Sequence, residues 1–493
     1  MNKIKLGWAY VDFTPDKKIK LSGQFYERVS AYVESPIGAT AFAVDSGEDQ
    51  MIICSCDLCG IHNNLYHLIK EKIKDKLPIS TDKVIINCIH THTSYAYSQN
   101  NLVTSNNSLN MLQDLVGDKV KYVPHATDDT AMDPDEALNI LVDKISEAII
   151  LAWENRKEGY YQNAFGRVVV GMNRRVCYDD GSAKMWGDTN SANFTELEGG
   201  NDSGMELIYT FDKDKNLTGV ISNIACPAQV VEHRSFVSSD YWGKVRENLK
   251  NKFGKDVFVL GLCSAAGDQC PRDMIRWVNG ETPIDDPNIE RLDYIERRQD
   301  PSMFDISGLK LVGKRITNEI LSVYEELSND YKDEGLLVHE TLTLELPLRR
   351  VTISDYNQAL DKIDEFIKKN EGKTISYNDT AALHVYAGTI NRYKLQHTRN
   401  TVPIELHVVR FGDIAIATNP FELFLDYGNQ IRARSRAKQT FLIQLACGCY
   451  GYLPTKKAEN GGHYSAYVSS GYVGHQGGEL LVRESLTRIN NKF

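Results

Sequence analysis

No apolar run in this chain reaches the roughly 20 residues that span a bilayer, so the sequence excludes a transmembrane helix. Met1-Asn2-Lys3-Ile4-Lys5-Leu6-Gly7 has no apolar stretch of the kind a secretory leader needs, and the expectation is a cytoplasmic protein. Positive charge is the scarcer sign: 56 Lys and Arg stand against 66 Asp and Glu, for a net charge of -10 and a pI near 5.7. That balance argues against a nucleic-acid partner. Low-complexity segments, internal sequence repeats and a clean interdomain linker are also missing. With 42% hydrophobic and 25% charged residues, the composition is that of a folded globular chain.

The 493 residues suffice for two or three average domains or one large layered one. Hairpins are expected at Thr40–Asp45 with Met51–Cys56 and at Met205–Phe211 with Leu217–Ala225, each across a polar turn. Helical spacing marks about 64–76, 241–253, 309–327, 354–369 and 380–395. Asp133-Pro134-Asp135-Glu136 is a helix start, with an N-cap, Pro at N1 and Glu at N3. Further strands are expected at 257–262, 336–348, 403–410 and 414–418, and a last helix from Gly477. Helices and strands alternate throughout, which predicts an α/β fold of mixed sheets layered with helices. One domain over 1–493 is expected, with an inserted Pro- and charge-rich excursion around 279–304.

The ten cysteines of a cytoplasmic chain are expected as thiols. Cys56 and Cys59 form a C-x-x-C and Cys447 and Cys449 a C-x-C, a spacing compatible with a four-sulfur zinc site. Cys54, Cys56 and Cys88 fall in apolar strands, where cysteine behaves as a small hydrophobe.

The stretch that draws most attention is Val84-Ile85-Ile86-Asn87-Cys88-Ile89-His90-Thr91-His92-Thr93. A buried strand ends in two histidines that alternation puts on one face. Such a pair suits a metal site or acid/base work, and it equally suits two locally satisfied histidines. Five other stretches carry chemistry-bearing residues. Gly171-Met172-Asn173-Arg174-Arg175 offers guanidinium groups for an oxyanion or carboxylate, or a solvated strand end. Ile224-Ala225-Cys226-Pro227-Ala228-Gln229-Val230-Val231-Glu232-His233 is followed by Ser238-Ser239-Asp240-Tyr241. Gly267-Asp268-Gln269-Cys270-Pro271-Arg272 follows an apolar strand, where active-site loops of α/β sheets sit, and also reads as a turn. Asn419-Pro420-Phe421-Glu422 reads as a capping box. Tyr450-Gly451-Tyr452-Leu453-Pro454-Thr455 and Gly462-His463-Tyr464 complete the set.

Together and in this order, these stretches resemble the neutral ceramidase family, zinc-dependent amidases that split ceramide into sphingosine and fatty acid. The likeness runs from about Ala9 to the end of the chain. The family's His-Thr-His-Ser-Gly-Pro-Gly reads here as His90-Thr91-His92-Thr93-Ser94-Tyr95-Ala96. Its Asn-Arg-Ser resembles Asn173-Arg174-Arg175, and its Gly-Asp-x-Ser-Pro-Asn resembles Gly267-Asp268-Gln269-Cys270-Pro271-Arg272. Its Pro-x-Glu-Phe resembles Pro420-Phe421-Glu422-Leu423, and its Tyr-x-Thr-Thr and later Tyr resemble Tyr452-Leu453-Pro454-Thr455 and Tyr464.

The resemblance implies Zn²⁺ as cofactor, with His90, Glu422 and Tyr452 as ligands and an amide of small-molecule or lipid-like character as substrate. It places His92, Arg174 and Tyr464 around the reacting carbonyl. The family's second ligand histidine falls on Cys226, with His233 or Gln229 as alternatives, and its loop serine falls on Cys270. Gly-Pro-Gly after the histidines is absent, and no counterpart of the family's C-terminal immunoglobulin-like domain is expected. These departures leave two further expectations open. One is a hydrolase of a small polar ester or carbohydrate-derived substrate on the same scaffold, and the other is a binding protein without catalysis.

Overall fold

The computed structural model describes residues 3–24, 28–97, 114–123, 128, 130–276, 303–376 and 383–493. Most of the expected excursion, 279–302, lies outside the described residues.

The architecture repeats one topology three times, although the sequence carries no repeat. The first unit contains strands β1 (Lys5–Asp12), β2 (Gly38–Asp45) and β3 (Gln50–Cys56), helix α1 (Asn63–Ile73), strand β4 (Val84–Cys88) and helix α2 (Pro134–Glu154). The second contains β5 (Tyr160–Arg167), β6 (Gly204–Phe211), β7 (Leu217–Ile224), α3 (Asp240–Phe253), β8 (Phe258–Cys263) and α4 (Asp305–Glu325). The third contains β9 (Leu337–Pro347), β10 (Thr401–Phe411), β11 (Ile414–Thr418), α5 (Leu425–Arg434), β12 (Gln439–Ile443) and α6 (His475–Asn490). In each unit the first three strands pair antiparallel, and the fourth, reached through a helix, joins the third in parallel. Sheet order is therefore 4-3-2-1 in all three, with Lys157–Glu158 added at the far edge of the first. The repeat is hidden in sequence because the segments that interrupt the units differ in length and kind. Residues 168–203 carry small strands, whereas 348–400 carry helices Ile353–Asn370 and Leu383–Leu395.

Each helix pair, α1 with α2, α3 with α4, and α5 with α6, packs together and covers one face of its own sheet. The other faces meet in a shared core, and strand periodicity shows which residue goes where. Along β11 and β12, Ile414, Ile416, Phe441 and Ile443 point to the common core, while Ala415, Ala417 and Leu442 face their helices. Along β6, Ile208 points inward and Leu207, Tyr209 and Phe211 pack under α3 and α4. Burial on both faces explains why these strands read as continuous apolar runs rather than alternating ones. Where layers approach most closely a side chain is excluded: a Cβ on Gly261 of β8 would lie 2.4 Å from the Trp242 ring.

The expected hairpins and most helices are present within a few residues of their expected bounds. Helix α2 starts as anticipated, with Asp133 accepting from the Asp135 N–H and Pro134 in the first turn. Strand β12 was not among the expected elements, and helix α5 begins later than the capping-box reading of Asn419–Glu422 would place it.

The first residue of α4, Asp305, has φ of 58° and accepts bidentately from Arg234 Nε and Nη2 at 2.8 and 2.7 Å. Burial pushes this carboxyl up, but His233 and Arg234 outweigh it and hold the pKa at about 2. A carboxylate depressed in the folded state contributes stability above its unfolded pKa, and that contribution is lost as pH falls through the folded value. Asp305→Asn is expected to lower the unfolding free energy by on the order of 2 kcal/mol near neutral pH. In urea titrations at stepped pH, the gap from the native chain should close between about pH 4 and pH 2. A gap constant down to pH 2 would show that the ion pair contributes nothing.

Candidate active site

In each unit the parallel strands end flush, with Cys56 beside Cys88, Ile224 beside Cys263, and Thr418 beside Ile443. The loops leaving these six ends hold nearly every chemistry-bearing residue named above. This is the ligand position of open α/β sheets, repeated three times around one point.

The first unit contributes the histidines. Strand β4 stops at Cys88, so His90 and His92 lie beyond it rather than on its alternating face. Their rings converge because His90 turns the chain with φ of 70°, a left-handed conformation rare for residues with a side chain. The ring centroids are 4.9 Å apart and the two Nε2 atoms 3.4 Å apart. His90 Nδ1 sits 2.5 Å from the Cys59 carbonyl, which fixes its proton there. Nε2 is left facing Glu422 Oε2 at 3.4 Å. Tethering of one ring nitrogen by a carbonyl, with the other open, is the usual preparation of a metal-ligating histidine.

His92 is oriented through a short chain of donors. Arg174 Nη1 donates to Gln229 Oε1 at 3.2 Å, and because arginine only donates, the amide oxygen must face it. The Gln229 N–H is thereby left to donate to His92 Nε2 at 2.8 Å. His92 Nδ1 then carries the proton, 3.5 Å from Glu232 Oε2. Gly23, with φ of 93°, lies against this ring, and a Cβ there would fall 2.3 Å from it. The two histidines are driven apart electrostatically. Burial opposes charge on His90, but Cys59 and Glu422 outweigh it and raise its pKa well above the ordinary value. Burial, reinforced by His90, Arg28 and Arg174, lowers that of His92 well below it. Without a metal, the pair therefore holds its extra proton on His90 and keeps His92 neutral.

The second unit supplies Arg174. The short strand Met172–Asn173 pairs with Gln269–Cys270, and the Arg174 N–H donates to Asp268 O at 2.9 Å. Neither arginine of the Asn173-Arg174-Arg175 stretch is solvated. Arg174 Nη2 donates to Gly267 O at 3.2 Å and reaches the Tyr452 hydroxyl at 3.4 Å. Arg175, its side chain wholly buried, spends all five N–H groups. They go to Glu198, the Tyr464, Ala458 and Gly462 carbonyls, and Ser465 Oγ. One arginine thus faces the site while its neighbour holds the 458–465 loop.

The third unit supplies Glu422, Tyr452 and Tyr464. No capping box forms at Asn419: its side chain accepts from the Phe421 N–H, and α5 begins only at Leu425. Glu422 instead lies in a two-residue strand paired in parallel with Tyr452. The Tyr452 hydroxyl is 3.3 Å from that of Tyr464. Burial, with Glu422 beside them, raises both phenols and keeps them protonated.

The remaining expected residues do not join this group. The Cys226 thiol turns to the Val170 and Pro227 carbonyls at 3.5 and 3.6 Å, inside an apolar cluster that includes Ile89. Cys270 is buried behind Arg174, with Sγ on the Arg272 carbonyl at 3.5 Å, and burial pushes it up to about 12. His233 stacks on Phe304 and faces Asp305. Of the three candidates for the second ligand position, only Gln229 reaches the histidines. Cys59 was missed as a site residue. Its thiol, 3.8 Å from His90 Nδ1, forms with one ring nitrogen each of His90 and His92 a set of donor atoms all within 4.8 Å of one another. The C-x-x-C was a visible signal, but it suggested a four-sulfur site, and among the described residues the four sulfurs do not gather. Glu232 was also missed, having no distinguishing spacing.

No protein-family model matches the chain, and no curated protein matches it by sequence. Among solved structures, neutral ceramidase from Pseudomonas aeruginosa superposes with a TM-score of 0.66 at 16% identity, over 100% of this chain and 75% of that one. A ceramidase complexed with C2 gives a TM-score of 0.68 at 13% identity, with the same 100% and 75% coverage. The chain thus has the fold of these ceramidases along its whole length, as the order of its motifs implied.

Arg175→Lys keeps the charge but cannot serve five acceptors. It is expected to lower stability by on the order of 3 kcal/mol, the cost of breaking a buried, fully bonded ion pair. Urea denaturation measures this, and limited proteolysis should find the 458–465 loop opened. Unchanged stability would show that other contacts hold the loop.

Proposed function

We propose that this chain is a zinc-dependent hydrolase that cleaves an N-acyl amide bond in a small-molecule or lipid-like substrate. The observation that carries the reading is the convergence of His90, His92, Arg174, Glu422 and Tyr452 from the loops of all three units. The same fold occurs in the two ceramidase structures.

The residues fit the metal. His90 offers an open Nε2 toward a carboxylate, and imidazole, carboxylate and thiol together are zinc donors. His90, Glu422 and Tyr452 would hold the ion, with Cys59 taking the place expected of Cys226. When bound, zinc supplies a water of lowered pKa and polarises an acyl carbonyl. His92, held neutral with its proton on Nδ1, serves as proton acceptor at Nε2, in exchange for the Gln229 N–H that rests there, and then returns the proton to the leaving amine. Glu232 faces its Nδ1–H and steadies the imidazolium that forms. Arg174 and the Tyr464 hydroxyl are donors for the negative charge that develops on the carbonyl oxygen. Gln229, locked by Arg174, sets the angle of the His92 ring.

Metal analysis combined with hydrolysis of an acyl-amide series of stepped chain length tests the proposal. Glu422→Gln and His90→Ala should lose zinc at this site and turnover together. His92→Ala should keep the metal and turn over on the order of a hundredfold or more slower, as for a lost general base. Hydrolysis of esters but no amide would favour the small-ester reading, and metal binding with no hydrolysis would favour a binding protein.

Cys59→Ala should weaken zinc affinity at this site, whereas Cys226→Ala should leave it unchanged. Competition titration with a chromogenic chelator measures both. The opposite result would mean that the Cys226 thiol turns over to the metal.

A further inference from the structure

A second group of metal-ligating side chains lies between the first and third units, outside the candidate active site. Glu405 and His407 are two residues apart on β10 and so share a face. Cys447 comes from the loop that leaves β12, at φ of 57°. His407 Nε2 is 2.8 Å from Glu405 Oε1 and 3.4 Å from Cys447 Sγ. Tyr66 of α1 donates its hydroxyl to the same Glu405 oxygen. His407 and Tyr66 are buried, and Lys70 lies 3.2 Å from the other Glu405 oxygen.

The hydrogen bonds behind His407 determine which of its nitrogens is open. His339 Nδ1 lies 3.2 Å from the Gln50 carbonyl, which fixes a proton on that atom. With that proton on Nδ1, His339 presents Nε2 as the acceptor. His407 Nδ1, 2.9 Å away, must then be the donor. The Thr341 hydroxyl, 3.1 Å from the same nitrogen, has its own hydrogen committed to the Asp82 carbonyl at 2.6 Å and can only accept. Both neighbours thus hold the His407 proton on Nδ1. Its Nε2 is aimed at a carboxylate and a thiol, as second-sphere partners aim a ligating imidazole.

We propose that Glu405, His407 and Cys447 form a second, structural zinc site, with Tyr66 closing the fourth side. Donor atoms around tetrahedral zinc lie about 3.3–3.8 Å apart, from metal–ligand distances near 2.0–2.3 Å. The sulfur–nitrogen separation already meets this, and the oxygen–nitrogen pair needs to open by about half an ångström. One nitrogen, one sulfur and carboxylate oxygen suit zinc better than magnesium or calcium, which prefer all-oxygen sites. Binding sends to solvent both the Cys447 thiol proton and the His407 Nε2 proton that faces Glu405, and leaves the thiolate on the metal with no redox change. The site would fasten α1 to β10 and to the loop that runs on from Cys447 to Tyr452. The Cys447 N–H also donates to Ile86 O, next to the strand end that leads to His90.

The test is zinc stoichiometry of the purified full chain by elemental analysis. The native chain should carry two zinc ions and His90→Ala one. Adding Cys447→Ser to His90→Ala should remove the remaining ion. Cobalt reconstitution of His90→Ala should give a sulfur-to-cobalt charge-transfer band that disappears with Cys447→Ser. If the double variant fails to fold, His90→Ala with Glu405→Gln replaces it. Folded His90→Ala holding no zinc and giving no cobalt–sulfur band would overturn the proposal and leave a His407–Glu405 ion pair. So would a His90→Ala/Cys447→Ser chain that still holds one zinc.

Discussion

Backbone hydrogen bonding between the third and fourth strand of each unit is the constraint on which the remaining structure depends. A parallel pair requires a crossover, here a single helix each time, and the crossover covers one face of the sheet. The fourth strand then ends beside the third, so two loops leave together from each unit. Three such units sharing one core bring six loops to one end of the molecule. No local feature of the loops could have produced that convergence, and every candidate functional residue depends on it.

Within the site, the dominant cost is burial of charge. Arg174, Arg175, His90 and His92 are all removed from water, where an unpaired charge is strongly disfavoured. The cost is met by division of labour along a single chain segment. Arg175 is saturated by Glu198 and the 458–465 segment, while Arg174 keeps its bonds longer and weaker, at 3.2–3.4 Å, toward Gln229, Gly267 and Tyr452. Close packing of unlike groups also sets the opposite pKa directions of the two histidines. His90 has a carboxylate and a thiol beside it, and His92 has cations. Two identical side chains two residues apart thereby acquire separate roles.

Backbone strain clusters at the same end. His90, Leu445, Cys447, His463 and Ser465 all have positive φ, and all belong to the loops of the first and third units. Such conformations persist only where the surroundings over-determine them. Here these include the carbonyls held by Arg175 and the Cys447 N–H on Ile86 O. The geometry that turns His90 back over Glu422 and Cys447 toward His407 is therefore held in place by tertiary contacts, with glycines at positive φ only beside these residues, at Gly448, Gly451 and Gly462.

Most secondary structure was legible in the sequence because its causes are local. Apolar spacing, the Asp133-Pro134 cap and the polar hairpin turns each act on residues a few positions away. The site's residue types and their order were legible for the same reason, as short motifs at strand ends. What failed were the local readings of residues whose partners are remote in sequence. Glu422 looked like half of a capping box until a strand pairing with Tyr452, 30 residues on, took it away. Arg174 and Arg175 looked like a solvated strand end until the third unit's loop closed over them. Cys226 held the right place in the motif order, yet packing of Ile89 and Val168 around it turns its thiol to carbonyls instead. Cys59 and Gln229 were brought to the histidines only by the way the three sheets pack. The sequence alone determined the strands, the helices and the chemical alphabet of the site. Which side chains meet was decided by tertiary structure, because contacts between residues hundreds of positions apart depend on sheet packing that no local pattern encodes.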